Sequence, residues 1–172
     1  FVFDNITYQK NAETEAKNLA QSLQNMLDAS PLGVLVYRLD ENNELILIST
    51  NQSAVNILKI DVYALISKRI QDIFPSLIKD NIVEKFINVL NAGNPLLSQN
   101  LIYEDIHLKG VYEFSVMKLF NNTIAVFFTD VTEKQKALTA LKLSELKFKT
   151  LFESANDAIF LIKDNIIIDC NE

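Results

Sequence analysis

Apolar and small residues recur near the N-terminus at Ala12, Ala16, Leu19, Leu23 and Met26. Steps of four and three make a heptad seam, which predicts a helix from Thr7 to about Leu27. Phe1–Phe3 ahead of it reads as the end of a strand. Pro31 stops the helix. Apolar runs at Leu32–Leu39 and Glu44–Thr50 flank Asp40-Glu41-Asn42-Asn43, residues that bond their own backbone or tolerate unusual angles, so a hairpin is expected. From Asn51 to Pro75 the apolar positions fit short, broken helices. Ile78–Ala92 then reads as one amphipathic helix, with Ile82, Phe86, Val89 and Leu90 on one face and Gly93 as its stop. Strands are expected at Leu96–Asp105, Leu108–Phe120 and Thr123–Thr129, the last two joined at Asn121-Asn122. A second seam follows over Thr132 to Phe152, at Ala137, Leu141, Ser144, Phe148 and Leu151.

Two strands, several helices and three strands make an α+β domain on a five-stranded antiparallel sheet with helices on one face. A sheet wet on one side should alternate apolar and polar residues. Val34-Leu35-Val36-Tyr37, Leu45-Ile46-Leu47-Ile48 and Ile124-Ala125-Val126-Phe127-Phe128 do not. Both faces are therefore expected to be covered, one by the helices and one by a flanking helix or a partner subunit.

The chain also repeats itself at an offset of 125 residues. Phe1-Val2-Phe3-Asp4-Asn5-Ile6-Thr7 is echoed by Val126-Phe127-Phe128-Thr129-Asp130-Val131-Thr132, and Met26–Val36 by Leu151–Leu161. A fixed period marks an array of like units. Both seams fall in the same register under that shift. One inserted residue would turn the following unit by about 100°, so equal linker length preserves an angle.

The net charge of −6 argues against a nucleic-acid partner. The local excess of lysine over 133–149 reads as a solvated helix face. Cys170 is the sole cysteine, which excludes an internal disulfide or a cysteine-based metal site and suits a cytoplasmic setting. No apolar run reaches the length of a membrane helix, so no membrane contact is expected. One histidine, one cysteine and three glycines offer neither a nucleophile–base set nor a phosphate-cradling loop, so the chain is not expected to be an enzyme.

Four segments resemble the PAS domain family in order and spacing. They are Asp28-Ala29-Ser30-Pro31-Leu32-Gly33-Val34, Asn51-Gln52-Ser53-Ala54, the stretch Ile66–Pro75 ending in Ile73-Phe74-Pro75, and Ala125–Lys134 with its Asp130-Val131-Thr132-Glu133 exit. The resemblance implies a sequence of parts. Residues 1–6 are the last strand of a preceding PAS unit, with Asn5 and Tyr8 departing from the usual Asp and Glu. Residues 7–27 are a linker helix, 28–132 a complete PAS domain, 133–152 a second linker helix, and 153–172 the start of a following unit with Asn171 matching Asn51. The implied parent is a multi-PAS signalling protein such as a two-component sensor histidine kinase, dimeric through its linker helices and acting on an output domain. The alternative is a structural dimerisation or spacer module that binds no ligand.

The family senses through a pocket between sheet and helices. The corresponding walls here are Val36, Ile48, Val55, Leu58, Ile70, Phe74, Phe86, Leu90, Leu101, Tyr103, Phe114, Val116, Val126 and Phe128, which either enclose a small apolar ligand or simply pack a core. No cofactor is expected. Haem-binding members place a histidine on the long helix, but His107 lies near a turn. Flavin photoreceptors use a cysteine that Cys170 does not match. Asp40-Glu41 and Glu104-Asp105 read as turn residues and Arg69 as a surface residue, so no metal site is expected. Asp130 and Thr132, where sheet hands over to helix, are candidate caps and a signal junction. Ala12, Ala16, Leu19, Leu23, Met26, Ala137, Leu141, Phe148 and Leu151 are the expected dimer seam.

Overall fold

A computed structural model describes residues 14–15, 17–18, 20–22, 24–78, 81–155, 157–164 and 166–171. The expected strand over 1–6, and Ala12, Ala16, Leu19 and Leu23 of the first seam, lie outside them. The chain divides into two compact units, one through Val131 and one from Thr132 onward.

In the first unit the described residues among 14–29 are helical. Strands β1 (Gly33–Leu39) and β2 (Leu45–Thr50) follow as a hairpin. Its turn closes as the residue types dictate: Asp40 Oδ1 accepts from the N–H groups of Asn42 and Glu44 at 2.9 and 2.8 Å, and Asn43 takes a positive φ of 61°. Helix α1 (Gln52–Leu58) ends where Lys59 turns left-handed. A 3₁₀ turn at Tyr63–Leu65, helix α2 (Ile70–Ile73) and a 3₁₀ turn at Pro75–Ile78 lead to helix α3 (Ile82–Ala92). Helix α3 starts four residues later than its periodicity suggests, because Asn81 is left-handed (φ 54°) and separates it from the preceding 3₁₀ turn. Gly93 caps its end at φ 74°, its N–H bonding Val89 O at 2.9 Å.

Strands β3 (Leu96–Glu104), β4 (Lys109–Lys118) and β5 (Thr123–Asp130) complete a five-stranded antiparallel sheet of order β2-β1-β5-β4-β3. Asn121 and Asn122 both sit at positive φ, as a two-residue hairpin turn requires. The outer edge of β2 is closed by Leu47, which bonds the backbone of Ser67 and Lys68, so the sheet offers no open edge there. The core lies on one face, where Leu35, Tyr37, Leu45, Leu47, Phe114 and Val126 meet Leu58, Ile70, Phe86 and Leu90 of the helices. On the opposite face Val34 and Ala125 are buried, Val36, Ile46, Ile48 and Phe127 half-buried, and Ile102 exposed. Coverage of that face is thus uneven rather than complete.

The second unit comprises helix α4 (Thr132–Glu153) and the hairpin β6 (Phe160–Lys163) and β7 (Ile166–Cys170). Strands β6 and β7 pair with each other, while Phe160, Ile162, Ile166, Ile167 and Ile168 stay exposed. Two antiparallel strands satisfy each other's backbone locally, but a lone hairpin has no partner surface for its apolar side chains.

Candidate sensory cavity and helix clasp

Side chains point alternately to the two faces of a strand. On β1 the odd positions Leu35 and Tyr37 face the helices, and on β5 the even positions Val126 and Phe128 do so. Between this face and the helices lies a cavity of about 70 Å³. Nine of the fourteen expected walls line it: Leu58, Ile70, Phe74, Phe86, Leu101, Tyr103, Phe114, Val126 and Phe128.

The other five do not. Val36 and Ile48 belong to the opposite face, because β1 and β2 are apolar on both sides and their period conceals which parity faces inward. The signal was Arg38: a charged residue one step from Tyr37 marks the even positions of β1 as outward. Val55 misses the buried stripe of α1, which runs through Ala54 and Leu58. Leu90 and Val116 are buried in the core beside the cavity. In their place the lining includes Leu35, Tyr37, Leu77, Leu108 and Tyr112.

Aromatic rings frame the space. Phe74 and Tyr103 meet edge-on at 5.9 Å, as do Phe86 and Phe114 at 5.8 Å and Tyr112 and Phe128 at 6.4 Å. The Phe128 ring folds over Gly33, its partner across the β1–β5 ladder, so closely that a Cβ there would stand 2.4 Å from it. Tyr103 donates to the Asp105 carboxylate. Tyr37 is 1% exposed, and its hydroxyl is the one buried side-chain polar atom among the described residues without a partner. Burial, and then the nearby Tyr103, hold the Tyr37 phenol far above its ordinary pKa, so it remains a neutral donor. Desolvation, followed by Asp130 and Asp105, pushes Tyr112 up to about 12.

The cavity strand begins at a clasp built by Asn51, which is fully buried. Its Oδ1 accepts from Val34 N–H at 2.9 Å and Ala54 N–H at 3.0 Å. Its Nδ2 donates to Leu27 O at 2.7 Å and Leu32 O at 2.9 Å. All four bonding positions of the amide are thereby used. One side chain ties the last turn of the N-terminal helical segment to the start of β1 and the N-terminus of α1. Asp28 Oδ1 adds a bond from Gln52 N–H at 2.9 Å, and Ser53 Oγ bonds Ser30 O.

The hairpin of the second unit carries the same arrangement. Asn171 Oδ1 accepts from Ile159 N–H at 2.6 Å, and its Nδ2 donates to Asp157 O at 3.1 Å and Ala155 O at 3.4 Å. Ile159 and Asp157 lie 125 residues after Val34 and Leu32. Asn171 lies 120 after Asn51 because the second hairpin is shorter.

The remaining candidates stand apart from the cavity. Arg69 is a surface residue paired with Glu44 at 3.2 Å and Asp72 at 2.8 Å. His107 is exposed in the β3–β4 turn, where its N–H bonds Asp105. Cys170 is exposed on β7. Asp130 ends β5 and Thr132 opens α4, with only Val131 between them. Met26, Ala137, Leu141, Phe148 and Leu151 are all exposed. Among the described residues no cluster of metal-ligating side chains occurs, and no helix is long and apolar enough to cross a membrane.

No curated protein matches the chain. Among solved structures it is similar to a domain of the sensory box sensor histidine kinase/response regulator from Geobacter sulfurreducens (TM-score 0.53, 10% identity, 65% of this chain and 94% of that one). It is also similar to the PAS domain of a protein from Colwellia psychrerythraea (TM-score 0.52, 12% identity, 67% and 98%). An RNA-binding light-oxygen-voltage receptor aligns as well (TM-score 0.56, 11% identity, 78% of this chain but 39% of that one). At such identities these likenesses show the fold alone. The family model for the PAS domain matches residues 21–90 and again 146–172, two stretches that begin 125 residues apart. With the five-stranded sheet and helices over one face, these matches establish that the chain belongs to the PAS domain family, generally non-catalytic sensory modules of signal-transduction proteins.

Proposed function

We propose that residues 28–132 form the sensory and relay domain of a tandem PAS array in a two-component sensor histidine kinase, dimeric through its linker helices. The observation that carries this reading is the Asn51 clasp. It joins the helical segment ending near Leu27 to the strand that supplies Leu35 and Tyr37 to the cavity. A shift of β1 on cavity filling therefore reaches the helix through one buried amide. The repeated clasp at Asn171, the second family match and the 125-residue offset support the array. The exposed seam of Leu141, Phe148 and Leu151 supports helix pairing. Asp130 and Thr132 are the matching exit junction, where β5 passes directly into α4.

The competing reading is a spacer without a ligand, which the small size of the cavity favours. One measurement tests the pairing that both readings share, and a second separates the two. Sedimentation of the chain is expected to show a dimer, and Leu141→Asp with Leu151→Asp to give a monomer with unchanged near-UV circular dichroism. A wild-type monomer at high micromolar concentration rules out pairing through this seam. Native mass spectrometry of the purified protein shows a bound small molecule if the domain senses one. A bare mass that stays bare after soaking in cell extract favours the spacer.

A further inference from the structure

We propose that helix α4 carries, on the side away from the Leu141 seam, a docking stripe for an acidic amphipathic helix of a partner protein. The inference depends neither on the cavity nor on pairing through the first seam.

Thr139, Leu143, Leu146 and Thr150 follow one another along α4 by four, three and four residues, the spacing of a second heptad seam. At about 100° per residue, Leu143 lies roughly 200° around the helix from Leu141, so the two seams occupy opposite sides. All four positions are exposed, with Leu143 at 51% and Leu146 at 61%. Thr150 turns its hydroxyl onto Leu146 O at 2.8 Å, which leaves its methyl for packing. Lys136 and Glu153, the next positions at this spacing, end the stripe.

The stripe is not among the features the two linkers share. Shifted back by 125 residues, its positions are Thr14, Asn18, Gln21 and Asn25, all exposed and polar, and Gln21 bonds Asn25 at 3.1 Å. Two exposed leucines on a helix already apolar on its other side therefore serve something particular to α4.

The flanking charges decide the occupant. Lys142 and Lys149 stand one residue before Leu143 and Thr150, and Lys147 one after Leu146, the positions that set partner choice across a seam. Lys149 also reaches Glu153 at 3.7 Å. Among the described residues no carboxylate pairs with Lys142 or Lys147. A second copy laid along this stripe sets lysine against lysine, which is repulsive. The first seam has Glu145 and Lys147 in such places and avoids that clash. An acidic helix meets the lysines with opposite charge and covers both leucines. A membrane surface fits less well, because a helix lying on lipid has one apolar face and one polar face, whereas α4 is apolar on two sides.

The test uses the whole chain and a labelled three-heptad peptide with Leu at a and d and Glu at e and g, followed by fluorescence anisotropy. The acidic peptide is expected to bind at least about tenfold more tightly than the same peptide with Lys at e and g. Leu143→Gln with Leu146→Gln should weaken it by about tenfold or more, and Lys142→Glu with Lys147→Glu should reverse the preference between the two peptides. Both pairs lie at exposed positions, and retained helical circular dichroism checks each variant. Leu141→Gln with Phe148→Gln should leave the acidic peptide's affinity unchanged. Should one variant not fold, the others and the wild-type peptide preference decide. No binding of the acidic peptide, or equal binding to the Leu143/Leu146 variant, overturns the stripe. An unreversed preference in the Lys142/Lys147 variant overturns the acidic partner. Binding of phosphatidylserine vesicles but of neither peptide assigns the stripe to a membrane and also overturns it. So does an assembly larger than a dimer that Leu143→Gln with Leu146→Gln takes apart.

Discussion

Two residues bear more of this structure than their types suggest. Asn51 is an uncharged amide in a fully buried position, and it satisfies two N–H and two C=O groups at once. Each buried group left unpaired costs about 1–3 kcal/mol, although the backbone can recover part of this by shifting. Asn51→Ala is therefore expected to lower unfolding free energy by about 2–4 kcal/mol, measured by urea titration; a loss within about 0.5 kcal/mol, the range of an ordinary surface substitution, would show the clasp to be idle. Gly33 acts by what it lacks. A methyl at this position would meet the Phe128 ring at 2.4 Å, and that ring is buried and packed on Tyr112. Gly33→Ala should cost about 1–3 kcal/mol as overpacking and displace the Phe128 signals in aromatic NMR. Unchanged Phe128 shifts would mean that the ring has room to yield.

The elements show where pattern reading succeeds. Hairpin turns at Asp40–Asn43 and Asn121-Asn122, the stop at Gly93 and the long helix from Thr132 all follow from local chemistry. Each depends on residues within a few positions of one another. The strand parity of β1 and β2 does not. When both faces of a strand are apolar, a one-residue shift leaves the hydrophobic pattern unchanged, and only Arg38 breaks the tie. The β6–β7 hairpin makes the converse point, since it forms through its own ladder and the Asn171 clasp while its apolar side chains remain exposed. Asn171→Ala is expected to speed amide exchange across Phe160–Lys163 and Ile166–Cys170. Exchange in β1–β5 should stay unchanged, because the clasp bonds lie wholly within the second unit. Slower or equal exchange in the hairpin would rule out the clasp as its lock.

Across the whole molecule, stability depends on keeping phenols neutral. Tyr37 and Tyr103 are raised above the ordinary value, chiefly by burial, and Tyr112 is raised to about 12. The unfolded chain releases these protons near pH 10, before the folded chain does. The folded state then binds more protons, so stability falls as pH rises. Full stability is expected below about pH 10, with a steady loss as pH rises towards 12, the Tyr112 value. Urea midpoints from pH 8 to 12 check this, and a flat profile would mean that these phenols ionise alike in both states. Tyr112→Phe should flatten part of the alkaline limb.

The amino-acid sequence by itself determined the α+β class, the order of the elements and the family. These rest on local periodicity and turn chemistry, which are properties of neighbouring residues, and on an internal repeat that is legible without the fold. It also identified nine cavity walls, most of them on the helices and on strands β3, β4 and β5, where large apolar residues stood out from their neighbours. The tertiary structure alone decided that Tyr37 rather than Val36 faces the cavity, that its hydroxyl finds no partner, and that Asn51 reaches back to Leu27 and Leu32. Those facts join residues up to 24 positions apart, or depend on which way a strand with two apolar faces turns. Only the packed fold specifies both.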